Sequence, residues 1–175
     1  DYLLTHASNP VAVPIDTIKY RIFFSGRDNS NRSSVGFVDL DMDNLKITKV
    51  SENAVFTYSK DANSFYSHGV SVSSHIQIRD QNIILFMGWH IPKGKHWEGQ
   101  IGSLQLSNNM DALKICNEQP FLGKSLHDPI SLSYPWISIV NKDYKMWYGS
   151  TVTWQCNNGE MLHVIKQATS ADGSN

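Results

Sequence analysis

Three stretches of this chain repeat one another. Aromatic or apolar runs end on a glycine at Gly26, Gly88 and Gly149, which are 62 and 61 residues apart. A fixed spacing of this size marks a repeat architecture, in which each unit hides its faces against its neighbours. The stretches run from Val11 to Met42, from Val70 to Met110 and from Trp136 to Gly173. Each holds short runs rich in Val, Ile, Phe, Tyr and Trp, the residues that suit a pleated, half-buried backbone. Turn signals divide them at Asp28-Asn29, Lys93-Gly94, Asn108-Asn109 and Asn157-Asn158-Gly159, as hairpin chemistry requires. Leu104 and Leu106, like Ile137 and Ile139, alternate with other residues at period two, and no long stretch keeps a 3.6-residue apolar stripe. The expected class is all-β, with helix nearly absent and small antiparallel meanders as the units.

A unit of this length with around four short strands matches a β-propeller blade. At 62 residues per unit, 175 residues hold fewer than three units, whereas closed propellers use about 4–8 blades. The expectation is therefore a single partial propeller domain with blade-like units at approximately 6–64, 65–126 and 127–175. The remaining blades would come from sequence outside this chain or from a second chain. The three glycines should occupy equivalent places, the first strands should lie nearest a common axis, and the end units should leave apolar faces open. The alternative is a β-sandwich whose regular spacing is coincidental.

Charge narrows the possible partners. Fifteen Lys and Arg against sixteen Asp and Glu give a formal net charge of −1, so no basic surface draws the chain to nucleic acid or anionic lipid. The longest near-apolar run, Ile83 to Trp89, is seven residues, far short of the roughly 20 that a spanning helix needs. No membrane association is expected. The chain opens at Asp1 without a secretory signal, which leads to the expectation of a cytoplasmic protein whose true N-terminus is missing. Cys116 and Cys156 match neither a disulfide framework nor a metal spacing, and read as buried reduced thiols. Asn31-Arg32-Ser33 matches a glycosylation sequon that nothing else supports. HExxH clusters, phosphate loops and nucleophile elbows are absent from the sequence, so no metal and no cofactor are expected.

The stretches HASNPVAVP, YRIFFSGRDNSNRSSVGFVDLD, ILFMGWH, GQIGSLQLS, DPISLSYPWISI and YKMWYGSTVTW resemble a family of five-bladed β-propeller glycosidases related to glycoside hydrolase families 43 and 32. The resemblance covers most of residues 5–175, and its most specific part is the GRDxxNRSxxGxVD pattern from Gly26 to Asp39. It implies a bacterial sugar-active protein connected with surface-polysaccharide metabolism, a saccharide ligand, and about two further blades.

Glycoside hydrolysis uses two carboxyl groups across the scissile bond, one donating a proton and one attacking or activating water. The resemblance places acidic residues at the innermost strands. Where it leads one to expect Phe-Asp-Asp-Ser-Gly in the second unit, this chain has Phe65-Tyr66-Ser67-His68-Gly69, without either carboxylate. In the third unit Asp128-Pro129 keeps an acid ahead of the inner strand, making Asp128 the first catalytic candidate. Its alternative is a turn-forming Asp-Pro pair. Asp28 is the second candidate. It shares a loop with Arg27, Asn31 and Arg32, where an arginine fork beside a carboxylate suits sugar hydroxyls or an anionic sugar, or forms a structural bridge.

His6 and Asn9 match a His-Ala-x-Asn-Pro segment of the family, and His68 stands where the family has serine. Trp89 with His90, and Trp97 in a charged loop, are placed for exposure and for stacking on a sugar. Trp147 reads as a filler between blades. A hydrolase, a catalytically silent saccharide-binding or scaffold relative, and a peptide-binding propeller of another kind all remain open, the last without a Trp-Asp or kelch signature.

Overall fold

The computed structural model describes residues 2–155 and 161–173. A first antiparallel meander contains β1 (Thr5–Pro14), β2 (Lys19–Arg27), β3 (Ser33–Asp41) and β4 (Lys46–Val50). A second repeats it with β5 (Gly69–Ile78), β6 (Gln81–His90), β7 (Glu98–Leu106) and β8 (Leu113–Ile115). The third contains β9 (Leu132–Val140), β10 (Asp143–Thr153) and β11 (Leu162–Ser170). The chain is all-β, with no helix among the described residues.

Gly26, Gly88 and Gly149 fall in β2, β6 and β10, the second strand of each meander. A second periodicity lies in the third strands. Val35 bridges Phe56 and Ile101 bridges Leu122, two pairs offset by 66 residues. The repeat thus lengthens by four residues between the glycine of the second strand and the bridging residue of the third, of which two lie in the loop itself, five residues long over 28–32 and seven over 91–97.

Three separate sheets were expected, but the first two meanders merge. Ser33 of β3 pairs with Gly69 of β5 in parallel, joining them into one eight-stranded sheet. Glycine permits this approach, since a Cβ on Gly69 would sit 2.2 Å from both Ser33 Oγ and Trp89 Nε1. The corresponding join between the second and third meanders runs from the Gly99 amide to Ser131 Oγ at 2.8 Å, leaving β9–β11 a separate sheet.

The first strands lie together, β5 touching both β1 and β9, and all three are bulged. The register of β1 shifts between Thr5 and Val11, that of β5 between Val72 and Ser74. In β9 the residues Tyr134 and Pro135 sit opposite the single Tyr148. Tyr134 takes a φ of 43°, and Pro135, which has no N–H for a ladder, is tolerated because it lies in the bulge. Hydroxyls stitch these irregularities across strands. Ser25 Oγ accepts the Val72 amide at 3.0 Å, and Ser74 Oγ donates to the Pro135 carbonyl at 3.0 Å.

The second meander is covered on both faces. Ile84 and Phe86 of β6 pack with Phe23, Val35, Val70 and Leu104 in one core. Ile83 and Leu85 point the other way, into a core with Ile101, Leu132, Ile137 and Met146. This explains the unbroken apolar run of β6, because a strand buried on both sides needs no polar alternation. The end meanders are covered on one side only: Ile47 is 61% exposed on β4, Trp136 61% on β9 and Ile165 81% on β11. Trp147, expected to fill space between blades, is half-buried opposite Trp136 on this open face. Cys116, read as buried, is exposed: it follows the three-residue edge strand β8, and although its amide still donates to the Ser103 carbonyl of β7 at 3.0 Å, no further strand covers that edge. Cys156 and the Asn157-Asn158-Gly159 turn lie outside the described residues.

A Cβ on Gly99 would lie 2.5 Å from the backbone oxygen of Leu132, which cannot swing aside. Gly99→Ala is expected to lower stability by about 1–3 kcal/mol, the usual scale of overpacking. At Gly123 the nearest atom is the end of the Gln100 side chain, so Gly123→Ala should cost less. Urea titration of the two variants checks the order; equal midpoints would contradict it.

Candidate functional site

The second strands of the first two meanders end in loops over residues 28–32 and 91–97. In the first loop Asp28 is the organising group. Its Oδ1 accepts the amides of Ser30 and Arg32 at 2.8 and 2.9 Å, and its Oδ2 accepts the Tyr58 hydroxyl at 3.1 Å. Arg32 Nε lies 3.4 Å from Oδ2, and its guanidinium rests 4.2 Å above the Tyr58 ring. Burial pushes the Asp28 carboxyl upward, but the Arg32 and Ser30 amides, the Tyr58 hydroxyl and the Arg32 charge outweigh it and hold the group below the usual carboxylate range. The Asx geometry explains the loop's composition, since a short carboxylate caps the amides that the turn leaves unpaired.

Beside this loop stands a second group. His68 precedes β5, with its ring centroid 5.9 Å from that of Trp89. Burial, followed by the neighbouring His90 and Arg32 charges, holds His68 below the ordinary imidazole value, so it is neutral at pH 7. Trp89 Nε1 donates to Ser33 Oγ at 3.0 Å. The indole is therefore half-buried and helps lock the first meander to the second, where exposure was expected. His90 Nε2 approaches Glu98 Oε2 at 3.7 Å, and Lys124 Nζ bonds the same oxygen. Burial raises the Glu98 carboxyl, yet Lys124 and then His90 bring it below its usual range.

Asp128 heads the third meander, 4% exposed. Its Oδ2 accepts the Tyr148 hydroxyl at 3.1 Å, and its Oδ1 accepts Lys166 Nζ at 2.9 Å. Burial acts to raise it, but Ser150, Lys166 and Tyr148 together keep it ionised. Burial and the Asp128 charge push Tyr148 up. Asp128 is also a turn former, exchanging backbone bonds with Ser125, so one residue both closes the turn and anchors the Lys166 ion pair.

The arrangement brings Asp28, Arg32, His68, Trp89 and His90 into one connected group, with Arg27 closing β2 beside it. Asp128 forms its own cluster at the head of β9. His6 and Asn9 take left-handed φ values of 62° and 56° in the bulged start of β1, and the exposed His6 ring is 2.9 Å from Thr5 Oγ1. No hydrogen bond joins either residue to the Arg32 group among the described residues. Trp97 is half-buried and packs edge-on against Trp154, centroids 5.2 Å apart. No cluster of three or more His, Cys, Asp or Glu is placed to hold a metal ion among the described residues.

Sequence reasoning missed Glu98, Lys124, Tyr58 and Lys166. One signal was available for Glu98: aligned on the third strand with an offset of 66, it falls where the first unit has Arg32. The lysine and tyrosine partners lie in connecting segments or on later strands, where no spacing points to them.

No family model matches this sequence. An uncharacterized protein of Mycobacterium tuberculosis, present in two strains, is 33% identical over 174 residues, which are 99% of this chain and 58% of the relative. The chain thus spans less than two thirds of the relatives it matches. Among solved structures, a family 117 glycoside hydrolase of the marine bacterium Zobellia galactanivorans superposes with a TM-score of 0.72 at 10% identity, covering 97% of this chain and 53% of its own. An α-L-arabinofuranosidase from Lactobacillus brevis gives 0.70 at 10% identity, with 96% and 50% covered. A thermostable family-43 glycoside hydrolase gives 0.64 at 14% identity, with 95% and 51% covered. At these identities the likeness is one of fold alone: this chain shares the all-β fold of about half of each of these glycoside hydrolases.

Proposed function

We propose that this chain is the saccharide-recognising part of a five-bladed propeller of glycoside hydrolase type. The observation that carries the reading is the placement of polar and aromatic groups at the heads of successive first strands, in a fold shared with glycoside hydrolases. Length supports the blade number. The matched 174 residues are 58% of the relative, leaving about 126 residues, or two units at the 61–62-residue spacing. Those units would cover the open faces around Ile47 and Trp136.

Asp28, Glu98 and Asp128 are each held ionised by amides, hydroxyls or cations. An ionised carboxylate accepts sugar hydroxyls and can activate water or act as a nucleophile, whereas a general acid must carry its proton at working pH. On this reading Asp128 and Asp28 supply charge, Arg27, Arg32, His68 and His90 supply donors, and the proton donor for hydrolysis lies outside the described residues. A binding or scaffold role in bacterial surface-polysaccharide metabolism needs no such donor.

The test is calorimetric titration of the whole protein with a panel of oligosaccharides, alongside a reducing-end assay. Arg32→Gln should weaken saccharide binding by roughly 10-fold or more, as for a lost hydrogen bond to a charged group. Absence of binding across the panel, or binding indifferent to Arg32, would remove the assignment. Release of reducing ends would establish hydrolysis in addition to recognition.

A further inference from the structure

The heads of the first two meanders are built on one plan. Asp28 and His90 stand at the ends of corresponding second strands, 62 residues apart, and Arg32 and Glu98 stand 66 apart at the starts of the third strands. Tyr58 and Lys124, also 66 apart, reach in from the connecting segments that follow. In each unit one carboxylate faces the other two members. Asp28 accepts the Tyr58 hydroxyl at 3.1 Å with Arg32 Nε at 3.4 Å, and Glu98 accepts Lys124 Nζ with His90 Nε2 at 3.7 Å. Arg32 Nε and His90 Nε2 are both buried without a hydrogen-bond partner. They differ in charge: a guanidinium is permanently ionised, whereas an imidazole titrates between about pH 5 and pH 8.

A buried polar atom without a partner is costly unless some state of the protein satisfies it. For His90 that state is the imidazolium. A neutral imidazole has one N–H, and a neighbouring carboxylate favours it on the nitrogen it faces, here Nε2. Nδ1, the only other polar atom of the ring, is then an acceptor and becomes a donor only with a second proton. Burial raises Glu98, but Lys124 and then His90 hold it below the usual carboxylate range, so it is ionised to receive that charge. Around the pair, among the described residues, stand Lys124, His68 from ahead of β5, Arg32 from the first loop, and Lys95 and His96 from the loop after β6. Burial and the His90 and Arg32 charges keep His68 neutral, so the second proton falls to His90.

We infer that Glu98 is the positioning residue for His90: it fixes the ring through Nε2 and draws in the second proton, so that Nδ1 donates to a saccharide acceptor and recognition strengthens as pH falls from about 8 to about 5. Lys124 tempers this by sharing the same Glu98 oxygen. The inference rests on the saccharide reading above and adds to it a donor that is switched by pH. The first unit, with a permanent cation on Asp28, supplies the part of the contact that pH leaves alone.

A double-mutant cycle of His90→Gln and Glu98→Gln, read by urea unfolding of the whole protein at about pH 8 and about pH 5, tests the pair without any ligand. The coupling should change the folding constant by less than about 2-fold at the higher pH and by about 5- to 10-fold at the lower. A Lys124→Met background, which removes the competing cation, should enlarge it. Calorimetric titration with the same panel of oligosaccharides reads the donor: affinity should be about 10-fold higher at the lower pH, and Glu98→Gln should remove most of that ratio. Coupling of equal size at the two pH values would overturn the inference, as would a saccharide affinity that varies with pH just as much in Glu98→Gln. In either case binding that depends on Arg32 leaves the broader reading standing. If no saccharide binds at either pH, the broader reading falls and the donor role of His90 falls with it.

Discussion

Replacing Arg21 by methionine is expected to cost this fold about 3–5 kcal/mol, the usual loss when one member of a buried ion pair is removed. Arg21 is 6% exposed on β2. Its Nε and Nη2 reach the two oxygens of Asp39 at 2.7 and 2.8 Å, its Nη1 bonds the Met110 carbonyl, and its guanidinium lies 3.8 Å over the Phe37 ring. Methionine keeps the aliphatic bulk but leaves the Asp39 charge buried and the Met110 carbonyl without its donor. Met110 belongs to the second meander's β7–β8 turn, so the same substitution loosens the seam between two units. Thermal unfolding should fall by roughly 6–20 °C, at 2–4 °C per kcal/mol for a chain of this size. Adding Asp39→Leu should recover much of the loss, because an apolar pair of similar volume avoids the uncompensated charge. A double variant no more stable than Arg21→Met would show that the pair is not what holds the seam.

The second large effect concerns Asp128. Asp128→Asn keeps the shape and the bond from Tyr148 but removes the charge that Lys166 and Ser150 hold. Lys166 is about one third exposed, so water takes back part of its partner's role, and the expected cost at pH 7 is about 2 kcal/mol, below that of a fully buried pair. The sign of the pH dependence follows from the depressed carboxyl. Its stabilisation is complete above the unfolded value near 3.9 and disappears as pH falls through the lower folded value. The unsubstituted protein should therefore lose stability more steeply than Asp128→Asn in that acid range, and the two curves should converge. Parallel curves from pH 7 to pH 2 would rule out the ion pair as a stabilising charge interaction.

Much of the architecture was legible because it is periodic. The glycine spacing located the second strand of every unit, and residue types marked the strands. What the sequence concealed is interaction across units. The join at Ser33 and Gly69 depends on a missing Cβ, and Gly69 looks like any strand-leading glycine. Trp89 looked exposed because it follows a strand-ending glycine, yet its indole N–H has a partner in Ser33, 56 residues earlier. Asp128 was found through a dipeptide, while its cation, Lys166, comes 38 residues later on β11. Single residues that bond across meanders leave no periodic trace, so the candidate groups were recognised mainly where a motif carried them.

The meander organisation also fixes an order of assembly. Strand pairing within each unit links neighbours along the chain, so every hairpin can close over a short loop, which favours fast local ordering. The first meander has all its internal partners by Val50, well before the third has been synthesised. Its inner face, with Phe23 and Val35, nevertheless stays bare until Val70, Val72, Ile84 and Phe86 arrive. A ribosome-bound chain thus exposes one sticky sheet face at a time and covers it with the next unit, so that misassembly is most dangerous during the interval between meanders. Slowing translation between residues 50 and 69 would lengthen that interval, whereas slowing it within a hairpin would not.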